Sequence, residues 1–207
     1  MGEDHTALME EGKRLYLAGE YPAASNVLRR AADAEPTSVA IWRALGYALK
    51  SAGNPPDAKA AFRKAIELDQ GDPDSHFGLG LVESEMGDSQ KAIEWFDSTL
   101  RSKPQHARAK SALVAELVKQ GTARADAGDK SGAGESFARA FKTSPGTFEA
   151  ASAYSEHLIE QKKYLEAYEC AQAAKRHAPS DAKVAALFET LDTDPRVVRA
   201  KREHGLV

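Results

Sequence analysis

Glycine falls at Gly19, Gly53 and Gly87, each 34 residues after the one before. Alanine follows five residues later at Ala24, Ala58 and Ala92, and a large apolar residue four further on at Leu28, Phe62 and Phe96. The next mark is Ala31, Ala65 and Thr99. Coincident ladders at one spacing leave few folds open. Each copy is one supersecondary unit, too small to bury its apolar face alone, so the copies must stack on one another. The stretch 41–69 shows the unit best. Trp42, Leu45, Gly46 and Leu49 fall on one helical stripe, and Ala58, Phe62, Ala65 and Ile66 form a matching stripe beyond the Gly53-Asn54-Pro55 break.

After Pro104 the phase slips. The marks return at Gly128, Ala133, Phe137, Ala140 and Pro145, which is 34 plus 7 residues on, and the 34-residue step resumes through Ala167, Ala171, Ala174 and Pro179. Seven residues are close to two helical turns, so an insertion of that length keeps the buried face in register. Leu113, Val114, Leu117 and Gly121 continue one stripe through it. The pattern predicts one long helix over about 107–127, in preference to a helix stopped at Gly121 with 122–127 looped out. Beyond residue 181, Val184, Leu187, Phe188 and Leu191 mark an amphipathic segment with no second half. It reads as a capping helix over 182–191. Asp194-Pro195 then opens a short basic helix or tail, 192–207, carrying Arg196, Arg199, Lys201 and Arg202.

Each mark has a physical task. Gly12, Gly46 and Gly80 let the second helix of a pair approach closely, with Ala24, Ala58 and Ala92 facing them. Gly53 and Gly87 suit left-handed caps at the end of the first helix. Asn54 and Asp88 suit N-caps for the second, with Pro55 at its first position. Pro36, Pro104, Pro145 and Pro179 stop the second helix before the next copy begins.

Composition narrows the function classes. The chain is 42% hydrophobic but only 7% aromatic, and no segment alternates as a strand does, so the fold class is all-α. A formal charge of −3 supplies no basic face for nucleic acid. The single cysteine, Cys170, permits no internal disulfide and suits a reducing compartment. Residues 1–5 lack the pattern of a signal peptide, and no apolar run is long enough to cross a bilayer. The expectation is a soluble, cytoplasmic protein without membrane insertion.

Nothing in the sequence specifies catalysis. The six histidines show no metal-binding spacing, and His76, in the slot that holds Trp42 one copy earlier, reads as a packed, hydrogen-bonded helix residue. Cys170 reads as a small buried hydrophobe. Gly128, Gly132 and Gly134 lack the order and the preceding strand of a phosphate loop; Gly132 and Gly134 should instead weaken the start of a helix. No cofactor, no metal and no enzymatic activity are expected.

The pattern resembles the tetratricopeptide repeat family over about residues 5–181. The second repeat carries Trp42-x-x-Leu45-Gly46-x-x-Leu49, then Gly53, Ala58, Phe62 and Ala65; the third carries His76, Leu79, Gly80, Gly87, Ala92, Phe96 and Pro104. The first has Leu8, Gly12, Leu15, Gly19, Tyr21, Ala24, Leu28, Ala31 and Pro36, and the fifth fits more loosely through Ala151, Tyr154, Ser155, Leu158, Tyr164, Ala167, Ala174 and Pro179. The resemblance implies a right-handed α-solenoid forming a single array over 1–191. Its repeats would span about 5–38, 39–72, 73–106, 107–147 (with the longer first helix) and 148–181, followed by the capping helix.

In that family the first helix of each repeat lines a concave groove. The resemblance therefore implies partner-binding positions at Lys13, Tyr16, Arg43, Tyr47, Lys50, Phe77 and Leu81, with Ser84, Val118, Thr122, Glu156 and Ile159 lining the remainder. Aromatic and arginine side chains are the usual anchors of an interface; the same side chains could serve only to pack one repeat on the next. The family's chaperone-tail clamp is not formed. Its slots hold Met9, Lys13, Ala44, Asp74 and Gly78 in one register, and Arg43, Tyr47, Gly78, Ala115 and Lys119 in the next. The implied function is a non-catalytic protein–protein interaction module for a protein or peptide partner of apolar and acidic character. Two alternatives stand beside it. One is a self-assembling scaffold, a homo-oligomer joining the basic end (Arg196, Arg199, Lys201, Arg202) to an acidic start (Glu3, Asp4, Glu10, Glu11). The other is the regulatory subunit of an enzyme complex.

Overall fold

The computed structural model describes residues 4–206, so Glu3 of the acidic start lies outside the described residues. Among the described residues there are twelve helices and no strand. They are α1 (His5–Leu17), α2 (Tyr21–Ala34), α3 (Val39–Ser51), α4 (Pro55–Leu68), α5 (Pro73–Glu85), α6 (Ser89–Ser102), α7 (Ala107–Asp126), α8 (Lys130–Thr143), α9 (Phe148–Glu160), α10 (Tyr164–His177), α11 (Ala182–Thr193) and α12 (Pro195–Glu203). The chain forms two compact units, Met1–Ala109 and Lys110–Val207.

In the first unit, α1 packs on α2, α3 on α4 and α5 on α6, and successive pairs stack α2 on α3 and α4 on α5. The core follows the ladder: Ala24, Leu28, Ala31, Leu45, Ala58, Phe62, Ala65, Ala92 and Phe96 are all buried. Phe62 shows why the ladder contains glycine. A Cβ at Gly46 would stand 2.8 Å from its ring, and one at Gly78, on the next repeat, would also overlap it. The ring is thus held between two backbones. Burying a side chain of this size contributes about 2–3 kcal/mol. Asn54, Asp72 and Asp88 cap α4, α5 and α6 by accepting from the backbone N–H groups of Asp57, Ser75 and Lys91.

The turn inside each pair is the same device. Gly53 has φ +76°, its N–H bonds the Lys50 carbonyl, and the Asn54 N–H bonds the Leu49 carbonyl. This is a Schellman cap. Gly19, Gly87 and Gly128 occupy the same position with φ between 80° and 85°. In repeat five the position is filled by Lys162, with φ 60° and the same two hydrogen bonds.

Helix α7 is unbroken through Gly121, so the inserted residues are helical rather than looped. In the second unit Gly121 receives the Phe137 ring as Gly46 receives Phe62. Repeat five reverses the sizes, with Ser155 and Ala171, both fully buried, where the others pair glycine with a large side chain.

Helix α11 has a second half, contrary to the sequence reading. α12 packs on both α10 and α11, with Val197 fully buried in a cluster with Ala171 and Leu191. Asp194 caps it, accepting from the Arg196 N–H, and its carboxyl is held down to about 2 by the Arg196 guanidinium. Lys201 is 8% exposed, pairs with Asp192 at 2.7 Å and lies over the Tyr168 ring. The tail reads as solvated in sequence because its basic residues dominate; the Lys201 stem covers apolar surface while its charge is paired with Asp192.

Candidate binding groove

A groove of about 510 Å³ lies within the first unit, lined by Met9, Lys13, Tyr16, Leu17, Leu28, Ala40, Arg43, Ala44, Tyr47 and Arg108. Four of the seven positions expected from sequence, Lys13, Tyr16, Arg43 and Tyr47, come together here. They do so because residues 34 apart on α1 and α3 share one face. The floor is apolar, and Leu17 at its edge is 86% exposed.

The walls are fixed from behind. Arg43 pairs with Asp72 at 2.7 Å, and Asp72, itself buried, also accepts from the Ser75 N–H and hydroxyl. A buried carboxylate with that many donors is satisfied and rigid. The Tyr47 hydroxyl donates to the Asp74 carbonyl at 2.9 Å, and its ring meets Phe62 edge-on with centroids 4.9 Å apart. Burial, then the nearby Asp74 charge, pushes the Tyr47 phenol well above its ordinary range, so it stays protonated. The Tyr16 and Ser51 hydroxyls are 3.3 Å apart. Lys13 pairs only with exposed Glu10 on its own helix, a weak contact.

The remaining expected positions lie elsewhere. Phe77 is corrected: at 2% exposure it presents no surface. Its ring packs against Phe96 and His106, and the Arg108 guanidinium covers it at 5.0 Å. Lys50 ties α3 to α5 through Glu85 at 3.1 Å, and half-buried Leu81 does not line the groove. Phe77 and Lys50 join one repeat to the next.

Arg108 is the residue that sequence reasoning missed. Assigning the seven-residue slip to this helix directed attention to Ala115, whereas the 34-residue step from Ala40 and Asp74 leads to Arg108. It is exposed, and among the described residues it has no carboxylate partner within ion-pair distance. The preceding His106 sits in the cap slot held by Asp72 one repeat earlier. Its Nδ1 accepts from the Ala109 N–H at 3.0 Å, leaving Nε2, 3.4 Å from the Asp74 carboxylate, to carry the proton.

Among the described residues no cluster of histidine, cysteine or carboxylate side chains could hold a metal ion. Cys170 is buried, its thiol directed at the Ala151 carbonyl, and burial pushes its pKa up to about 11. His76 is packed, stacked on Trp95, but its Nδ1 lacks the hydrogen bond expected for it. No helix among the described residues is long and apolar enough to cross a membrane.

Comparison with known proteins agrees with the repeat fold. The family model described as "Tetratricopeptide repeat" matches residues 9–73, 43–107 and 118–182. Cellulose synthase operon protein C of Komagataeibacter xylinus is 31% identical over 72 residues, covering 35% of this chain but 6% of that protein. The chain therefore matches only a small fraction of that relative's length. Among solved structures, MamA protein shares the fold with a TM-score of 0.65 at 22% identity, covering 88% of this chain and 96% of that one. YrrB, described as a TPR protein with an unusual peptide-binding site, gives 0.62 at 16% identity, covering 90% and 93%.

Proposed function

The chain belongs to the tetratricopeptide repeat family, and from that premise we propose that it is a non-catalytic interaction module that holds a partner segment in the groove of its first unit. The observation that carries the reading is the pairing of an apolar floor with an exposed Arg108 lacking a carboxylate partner among the described residues. Met9, Leu17, Ala40 and Ala44 suit apolar side chains, while Lys13 and Arg108 suit carboxylates. The partner is thus an extended peptide with acidic residues beside apolar ones. The peptide-binding site described for YrrB, on the same fold, supports this kind of use. A cytoplasmic setting suits the one buried free thiol.

The test is selection from a displayed library of random peptides on the immobilised chain. The expected consensus places Asp or Glu beside a large apolar residue. A Lys13→Glu, Arg108→Glu double variant, altered only at exposed side chains, should fold normally and lose the selected peptides. Equal binding by that variant would remove the groove from the reading. The sequence alternatives of a self-assembling scaffold or a regulatory subunit gain no specific support. The basic end that the scaffold required is engaged internally: Arg196 with Asp194, Arg199 with Glu203 and Lys201 with Asp192.

A further inference from the structure

The second unit carries a cleft that the groove does not account for. It lies between α8 and α10 and is floored by α9, in two lobes that share Tyr154 and Leu158. One lobe, about 360 Å³, is lined by Lys130, Ser131, Gly134, His157, Gln161 and Lys163. The other, about 500 Å³, is lined by Phe141, Glu166, Glu169, Cys170 and Arg176 among others. The cause of the cleft is legible in the repeat. Gly134 occupies the slot that holds Ile93 in repeat three, where that side chain is 2% exposed. Without a side chain at 134 the slot admits the His157 ring from α9, whose Nε2 lies 2.8 Å from where a Cβ would stand, and the cleft opens beside it.

His157 gives the cleft its direction. The residue is 8% exposed, lines the smaller lobe, and its ring makes no hydrogen bond among the described residues; its one ring contact is with Phe137, centroids 5.6 Å apart. Its ring nitrogens are not among the fully buried atoms left without a partner, so a hydrogen-bonding group in the cleft can reach them. Around it stand two cations. Lys130 has no carboxylate partner within ion-pair distance among the described residues, and Lys163 has only the loose, exposed contact with Glu166 at 3.4 Å. The first turn of α8 adds its positive end and the Ser131 hydroxyl. The capping carboxylate of Asp129 accepts from the Gly132 N–H and does not line the cleft. Glu166 and Glu169 line the other lobe, beside Arg176. An anionic group is therefore favoured at the lysine end and disfavoured at the glutamate end. Between the ends, Tyr154 and Phe141, ring centroids 5.9 Å apart, with Leu158, offer an apolar wall.

We propose that this cleft binds a small organic anion with an aromatic body. Its head, a carboxylate or a phosphate monoester, would meet Lys130, Lys163, Ser131 and His157, and its ring would lie against Tyr154, Leu158 and Phe141. The site is independent of the groove, so it stands or falls apart from the peptide reading.

The probes are phenyl phosphate and phenylacetate, titrated into the full chain by calorimetry and by amide chemical shifts, with inorganic phosphate and phenol as controls. A weak site of this kind has a dissociation constant on the order of 1 mM or below. The expected result is binding of at least one probe with shifts at Ser131, His157 and Lys163, and binding weaker by roughly tenfold for both controls. The tighter probe identifies the head. Lys130→Glu with Lys163→Glu, both exposed, should abolish it. Gly134→Ala, which favours the helix but crowds His157, should weaken probe binding, with urea melts of the same variant reporting any cost in stability. No binding, binding unchanged in the lysine variant, or phosphate binding as well as its phenyl ester would each overturn the proposal.

Discussion

Lys162 is the only non-glycine residue with positive φ among the described residues, at 60°, in the cap position that Gly19, Gly53, Gly87 and Gly128 fill in the other repeats. A left-handed backbone costs an ordinary L-residue roughly 1–2 kcal/mol, because its Cβ crowds the following carbonyl. Glycine removes that cost but widens the unfolded ensemble, which takes back about 0.4–1 kcal/mol. Lys162 is exposed and has no ion pair among the described residues, so no side-chain contact is lost. Lys162→Gly is therefore expected to stabilise the chain by about 0.5–1 kcal/mol, or about 1–4 °C in Tm for a chain of this size.

Urea denaturation should show the midpoint rising with the slope unchanged. Hydrogen exchange gives a local check: the Lys163 N–H, bonded to the Leu158 carbonyl at 2.8 Å, should gain protection. The reciprocal change Gly128→Lys should destabilise by a similar amount. A neutral or destabilising Lys162→Gly at constant slope would show that the backbone at 162 carries no such strain, and the cap argument would fail there.

Other outcomes follow from single contacts. Glu83 is 1% exposed in the slot that holds Leu15 and Leu49 in the preceding repeats, and Lys59 reaches it at 2.7 Å. Lys59→Ala should cost about 3 kcal/mol by stranding that charge, while Lys59→Met with Glu83→Leu should be within about 1 kcal/mol of the parent in urea melts. Gly46→Ala should destabilise by about 1–3 kcal/mol despite alanine's better helix propensity, because the new Cβ meets the Phe62 ring. Adding Phe62→Leu should recover part of that loss. Burial lowers the His76 pKa. Between its folded value and the unfolded value near 6.5, the unfolded chain binds more protons, so stability rises with pH across that window. Urea midpoints at pH 5.5 and 7.5 should differ less in His76→Phe than in the parent.

The fold was legible because its main constraint is periodic. One spacing places Gly46, Phe62 and Gly78 against each other, and the helix boundaries follow from caps such as Asn54 and Asp88, whose side chains make the expected bonds. The groove was only half legible, for a geometrical reason. Helical spacing separates the face that packs within a pair from the rest of the helix, but the rest divides again. Some of it meets the next repeat and some meets solvent. Phe77 and Tyr47 look alike in sequence, yet Phe77 is closed over by Phe96, His106 and Arg108 while Tyr47 still lines the groove. Helix α12 was expected from Asp194-Pro195, but its packing was missed for the complementary reason: one apolar anchor, Val197, suffices when a lysine stem completes the buried face.

The division of labour in the groove follows from what each side chain already does. Arg43 and Tyr47 spend their polar groups on Asp72 and on the Asp74 carbonyl, so removing either would loosen the stack as well as the wall. On the proposed reading their contribution would be to hold a surface in place before a partner arrives, which lowers the ordering cost of association. Lys13 and Arg108 are different: Lys13 has only the exposed contact with Glu10 among the described residues, and Arg108 touches the stack only through the Phe77 ring, with no carboxylate partner within ion-pair distance among those residues. On the proposed reading their charges would set which partner is attracted. Charge reversal at Lys13 and Arg108 should therefore change partner choice while the melting temperature stays put, whereas Tyr47→Ala should lower both affinity and stability. On the proposed reading function is most separable in the two cations; Arg108, on the first turn of α7, lies over the Phe77 ring but has no carboxylate partner within ion-pair distance among the described residues.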